Sequence, residues 1–318
     1  MKRASILILL ISLASVGYMA MTDSSQITFS EDEAKGTLTL RDGQVEVLTY
    51  RFSDQLTPGV DPKYTRSCYI HPLYSLDGTV LTADFPQDHL HHHGVFWTWP
   101  VVRTRGQNTQ TWQPDTPSLR QHFARWLKRE VKNGAAAISA ENVWKLDESE
   151  TVAKETATLH VLPAEDAGRA IDLELVFEAV GGPLELQGTP DQNKGYGGLC
   201  IRGAPMFKGA ALSTDQGLLT KDSTNIPFRW ADMSTQEFGV AIFVSADHPG
   251  FPTTWLIRNS YAGILNVSWP GLKPAVLQPG NPVILGYRLY VHRGDAAAGR
   301  VQQAYEKYLS LSRKQRSE

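Results

Sequence analysis

Much of what would settle a function at a glance is missing from this 318-residue chain. It has two cysteines, Cys68 and Cys200, and no pair at CxxC spacing. That excludes a cysteine-based metal site and a disulfide-stapled scaffold, and leaves open whether the two thiols pair. No lysine- or arginine-rich block occurs, and 31 Lys and Arg stand against 33 Asp and Glu for a formal net charge of -2. A nucleic-acid-binding face needs a concentrated positive field, so no nucleic-acid partner is expected. Beyond the N-terminus no apolar run approaches the roughly 20 residues that a membrane-spanning helix needs. Nor is there an internal repeat or a linker that would divide the chain.

The N-terminus reads as an export signal. Lys2 and Arg3 form a positive start and Ser5 to Val16 an apolar core, with small residues at Ser15 and Gly17 before a cleavage point. Residues 1–20 are therefore expected to be a signal peptide, with an uncleaved anchor as the alternative. The mature chain is expected to be exported, periplasmic or secreted, without a stable membrane span.

From there on strand signals dominate. TLTL and VEVLTYRF flank Asp42-Gly43, and FARWLKREVK and AAISAENVWKL flank Asn133-Gly134, both dipeptides suited to tight hairpins. YIHPLYS and TVLTADF are expected to form strands around a turn at Leu76-Asp77-Gly78. GVFWTWPVV is a further strand, and residues 103–118 are a polar loop over one face. In AIDLELVFEAV, Ile171, Leu173, Leu175 and Phe177 fall on one face by period-two alternation. GLCIRG, FGVAIFVS, TTWLIRN, ILNVSWPG and VILGYRLYVHRG continue the pattern. Only residues 295–314 read as helix, with Ala297, Val301, Ala304, Tyr305 and Tyr308 in one stripe. Residues 25–318 are thus expected to form a single all-β domain, a large antiparallel β-sandwich with a C-terminal helix.

The chemistry concentrates between Tyr69 and Trp99. That stretch holds five of the nine histidines, His71, His89, His91, His92 and His93, with Asp84 and Asp88. Imidazole serves both metal ligation and proton transfer near neutral pH. On an extended strand His92 would point away from His89 and His91. A shared pocket therefore requires a turn or bulge near Leu90–His92, entered from Pro86. Trp97, Trp99 and Trp112 are either flat faces for a ligand or core filling. His122, His160 and His292 read as ordinary strand or surface histidines, and His248 as a loop residue.

The motif SCYIHPLYSLDGTVLTADFPQDHLHHHGVFWTW resembles the opening motif of the PmoA-like family of unknown function. KGYGGLCIR (194–202) and FGVAIFVSADHPGFPTTWLIRNSYAGILN (238–266) are similar to two further segments of that family. His71, Asp88, His89, His91 and His92 fit the motif, whereas His93 stands where an arginine is expected. The family's methane-oxygenase label is not carried over, because a repeatedly membrane-spanning subunit would need apolar runs that are absent here. What the resemblance implies is a galactose mutarotase-like supersandwich and a carbohydrate ligand.

The leading expectation is an exported carbohydrate-active or carbohydrate-binding protein. In it His71, His89, His91 and His92 share acid, base and anchoring roles, and Asp88, Asn193 and Arg202 bind a small-molecule or glycan substrate. An epimerase, lyase or hydrolase would fit. One alternative is a metal-dependent oxidoreductase or hydrolase, with a divalent metal on three of the same histidines. Another is a non-catalytic glycan-binding module. No cofactor is otherwise required by the sequence.

Overall fold

The structure is a computed structural model, which describes residues 26–260 and 263–315. The expected signal peptide lies outside the described residues. Two nine-stranded sheets and one four-stranded sheet account for the architecture, and every paired strand is antiparallel to its neighbours.

The first nine-stranded sheet runs Ile27–Asp32, Thr37–Asp42, Val45–Arg51, Tyr69–Leu73, Val95–Thr98, Gly198–Arg202, Ile264–Ser268, Thr254–Arg258 and Ser223–Pro227. The second runs Gly217–Leu219, Ala211–Thr214, Trp230–Ser234, Phe238–Val244, Val283–Arg293, Gly168–Ala179, Glu150–Val161, Ala135–Leu146 and Leu119–Lys132. Local chemistry explains several joints. Asn133 and Gly134 both have positive φ, at 53° and 72°, as a two-residue hairpin turn requires, and they bring Lys132 opposite Ala135. Ile171, Leu173, Leu175 and Phe177 are at most 1% exposed, so the alternation of this strand faces the core as expected.

The core lies between the two large sheets. Trp99 packs on Trp144 and Phe177, with ring centroids 5.5 and 5.3 Å away, and Tyr50 meets Trp126 at 5.8 Å. A polar knot is buried with them. The fully buried Glu155 accepts hydrogen bonds of 2.8 Å each from Gln121, Asn142 and the Trp144 indole. The sandwich is thus pinned by directional bonds as well as apolar contact.

Three expectations need correction. The run GVFWTWPVV is not one strand. Val95–Thr98 belongs to the first large sheet and Val101–Thr104 to the four-stranded sheet, and the break falls at Pro100, which has no N–H to give a ladder. TVLTADF contributes only isolated bridges, Tyr74 with Val80, Thr82 with Gly203 and Asp84 with His93. The helix is Val301–Gln315 and starts later than expected. Arg300 has φ of 52°, and Asp295 instead caps a preceding turn by accepting from the N–H groups of Ala297 and Ala298. Val301, Tyr305 and Tyr308 seat the helix against Trp230, Ala241, Phe243 and Tyr290 of the second sheet.

Cys68 and Cys200 are both buried and unpaired. Burial pushes both thiols well above the usual range, so neither is a nucleophile at neutral pH. No helix among the described residues is long and apolar enough to cross a membrane.

Candidate functional site

The site is assembled on the face of the first sheet that points away from the core. Strand parity places it there. Val95, Trp97, Leu199, Ile201, Trp255, Ile257, Leu265 and Val267 face inward and are fully buried in the main core. Phe96, Cys200, Arg202, Leu256, Arg258 and Ile264 therefore share the opposite face. Register lines up Arg202, Ile264 and Arg258 across three adjacent strands.

Over this face folds the histidine loop. The His89 N–H donates to the Pro86 carbonyl and the His92 N–H to the His89 carbonyl, both at 2.9 Å. These successive turns replace the extended conformation, so His92 is brought to the side of His89 and His91, as the expected bend requires. The loop is closed by the Asp84–His93 bridge and by the Phe85 N–H on the His92 carbonyl. Gly94 ends it at φ of 37°, where an added Cβ would lie 2.1 Å from the Ile70 carbonyl oxygen. Only glycine lets the loop approach the neighbouring strand this closely.

Within the loop the imidazoles pack on one another. His89 and His92 stack with centroids 4.7 Å apart and planes 9° from parallel, while His91 meets His92 edge-on at 4.6 Å. Arg202 supports them from the sheet. Its Nη1 donates to His92 Nδ1 at 3.1 Å, and its Nη2 donates to both Asp88 oxygens at 2.7 and 2.8 Å. His92 Nδ1 is therefore an acceptor, so the ring is neutral and its proton sits on Nε2. Burial, then the adjacent imidazoles and Arg202, hold His92 well below the ordinary histidine range. Burial, then His89 and His93, lowers His91 to about 3. His89 Nδ1 stands 3.1 Å from Asp88 Oδ2, a carboxylate held below its usual range by its hydrogen bonds from Arg202 and His89, which outweigh its desolvation.

These histidines line an open cavity of about 190 Å³. Its other walls are Trp112, Gln113, Lys194, Tyr196, Leu256, Arg258 and Ile264. Trp112 and Tyr196 lie 4.8 Å apart by ring centroid. A second cavity, also about 190 Å³, adjoins it through the shared His91, Trp112 and Gln113. His93, Arg66 and Arg120 are among its other walls.

Of the expected site residues, the structure brings together His89, His91, His92, Asp88 and Arg202. His71 lines neither cavity. Its Nδ1 is joined to the Thr82 hydroxyl at 2.9 Å, and burial lowers it to about 4. Asn193 is exposed in the short turn Asp191–Asn193 and lines neither cavity, whereas its neighbours Lys194 and Tyr196 do. Among the tryptophans, Trp97 and Trp99 are core, and Trp112 alone of the three faces the cavity.

His93, the residue that departs from the motif, has a defined place. Its Nδ1–H donates to Asp84 at 2.9 Å, and Asp84 also accepts from the Tyr69 hydroxyl at 2.8 Å. Asp84 is held below the usual carboxylate range: burial works against this, but the bond from His93 and the charges of His93, His71 and Arg51 outweigh it. Lys194, Tyr196 and Arg258 were not expected in the site, and Asp84 and His93, conspicuous in the same stretch, were given no role in it. A signal existed for Arg258, which alternates with the apolar Trp255 and Ile257.

A metal does not suit this arrangement. Among the described residues no group of three or more His, Cys, Asp or Glu side chains is placed to hold an ion. The Nδ1 atoms of His92 and His93 are engaged by Arg202 and Asp84, and a guanidinium 3.1 Å from His92 repels a second cation.

The remaining histidines sit elsewhere. His160 is exposed, and His122 is 3.0 Å from Glu148. His292 is buried against Asp232 at 2.8 Å. His248 is buried with its Nε2 2.9 Å from the Tyr287 hydroxyl, and with His160 it borders a larger groove of about 720 Å³ along the second sheet. There Asp172 is already gripped by Arg288, at 2.5 and 2.8 Å.

No curated protein matches this chain. Among solved structures, a galactose mutarotase related enzyme from Lactobacillus acidophilus is similar over 84% of this chain and 97% of its own, with TM-score 0.39 and 7% identity. A GalM/aldose epimerase homologue from C. elegans is similar over 85% of this chain and 100% of its own, with TM-score 0.35 and 8% identity. Neither bears a PmoA-like label. The model of the Family of unknown function (DUF6807) matches residues 37–306, most of the chain, and the protein belongs to that family.

Proposed function

We propose that the protein binds a carbohydrate in the cavity between the histidine loop and Tyr196, and acts on it by histidine acid–base chemistry. One observation carries this reading: Trp112 and Tyr196 border the same 190 Å³ space as three imidazoles, Gln113, Lys194 and Arg258. Flat apolar rings beside many hydrogen-bonding groups are what a sugar ring requires, with its apolar C–H face and its fringe of hydroxyls. The volume lies below the roughly 300–1,000 Å³ typical of drug-sized ligands, so each cavity takes one ring or the end of a chain.

The imidazoles divide the work. His92, fixed by Arg202, presents Nε2–H as a donor, and His91 stays neutral at working pH. His89, whose Nδ1 is 3.1 Å from the Asp88 carboxylate, is the group placed to take up and return a proton, because that carboxylate orients its ring. The neutrality of His91 and His92 also favours a second reading, in which the cavity only holds glycan. Lys2, Arg3 and the apolar core that follows support placing this activity outside the cytoplasm.

The test is a panel of mono- and oligosaccharides followed for binding and for epimerised, eliminated or cleaved product. Turnover lost in His89→Asn with binding retained supports the catalytic reading. Binding without turnover in the wild type supports the second reading. No response to any saccharide rejects both.

A further inference from the structure

Resting on the carbohydrate reading above, we infer that the ligand of this cavity is an acidic sugar, a uronate whose carboxylate is held by Arg258 and Lys194 on the outer face of the first sheet. The walls carry the argument. The cavity residues include two cations, three imidazoles, an amide and a phenol, and no carboxylate. A pocket for a neutral sugar commonly sets acidic acceptors against the hydroxyls, and hydrolysis by a pair of carboxylates needs two of them flanking the scissile bond. This cavity supplies neither from its walls.

Register sharpens the picture. Arg202 lies opposite Ile264, and Ile264 lies opposite Arg258. The two arginines thus occupy one row on the same face, two strand spacings or about 9.6 Å apart. At one end of the row Arg202 already grips a carboxylate, that of Asp88. At the other end Arg258 lines the cavity with Lys194. Lys194 pairs with Asp191 at 3.1 Å, a carboxylate that is 63% exposed. An exposed ion pair of this kind is weak and exchanges readily for a better-enclosed anion. The positive field is also felt by the imidazoles: after burial and the neighbouring rings, Arg202 contributes to the lowering of both His91 and His92.

A uronate fits the aromatic side as well. Its ring stacks as any pyranose does, while its single charge selects the cationic end and fixes which way round the ring lies. Placing the carboxylate beside arginine and lysine also lets it hold, as an enolate, the electron pair left when a histidine takes the proton from the adjacent ring carbon, and return of a proton to that carbon completes an epimerisation.

The experiment is saturation-transfer NMR and calorimetry with mono- to tetrasaccharides of galacturonate, glucuronate and mannuronate, set against the matching galactose, glucose and mannose series. Uronates are expected to bind at least about tenfold more tightly at low salt, which is about 1.4 kcal/mol, with the preference shrinking as salt rises. Arg258→Met with Lys194→Met is expected to remove the preference, while Arg258→Lys keeps part of it. Circular dichroism and thermal melts establish that each variant is folded. Equal affinity for the two series, unmoved by these substitutions, overturns the charge assignment and leaves the carbohydrate reading intact. No binding of either series removes the carbohydrate reading, and this inference with it.

Discussion

Acid is expected to unfold this protein early, and its buried and half-buried histidines set the size of the effect. His71 and His248 are lowered to about 4 and His91 to about 3, in each case first by burial. In the unfolded chain each returns to about 6.5. Folded pKa values therefore lie below unfolded ones, the unfolded state takes up the protons first, and stability falls as pH drops below about 6.5. The loss continues to about pH 4 for His71 and His248 and to about pH 3 for His91. At pH 5 each of the three costs about 2 kcal/mol, together about 6, against a total stability of about 5–15 kcal/mol. His92 and His93, also lowered by burial, act in the same direction. The assay is urea unfolding followed by tryptophan fluorescence from pH 7.5 to pH 5. The free energy should fall by at least roughly 4 kcal/mol per pH unit at the steepest point, the value for the three protons of His71, His91 and His248. His248→Gln should lower that slope by about 1.4 kcal/mol per pH unit, the value for one proton. An unfolding midpoint unchanged between pH 7 and pH 5 would refute the claim that the fold holds these rings neutral.

Other perturbations have equally definite outcomes. Gly94→Ala drives a Cβ to 2.1 Å from the Ile70 carbonyl oxygen and should cost about 3 kcal/mol or more, read as a lowered urea midpoint. Glu155→Ala strands three buried donors at about 1–3 kcal/mol each and should destabilise severely, as thermal melting will report. Arg202→Met leaves His92 and Asp88 without the guanidinium that joins them, and should weaken saccharide binding at least about tenfold by calorimetry.

The sequence made the sheets more legible than their borders. Ile171 to Phe177 alternate because one face of a central strand is buried, and Asn133-Gly134 marks a turn because both residues accept positive φ. Ser223–Pro227, short, partly exposed and ending in proline, carries no such periodicity. GVFWTWPVV reads as one strand although Pro100 interrupts it, and that the chain leaves one sheet for another there depends on partners far away in sequence.

The site divides along the same line. His89, His91 and His92 were conspicuous by density, and Pro86 hinted at the turn that gathers them. Arg258 joins them through Ile264, which stands opposite it in a hairpin and also opposite Arg202, 62 residues earlier, and that second register has no local signature. His71 lay in the same stretch of sequence, yet its bond to Thr82 turns it to another task.

The most direct test of the central claim is a long-range 1H–15N NMR spectrum of the nine imidazoles during titration with a saccharide that binds. His89, His91 and His92 should shift together while His122, His160, His248 and His292 stay in place. Shifts confined to His160 and His248 would move the site to the groove on the second sheet and contradict the assignment made here.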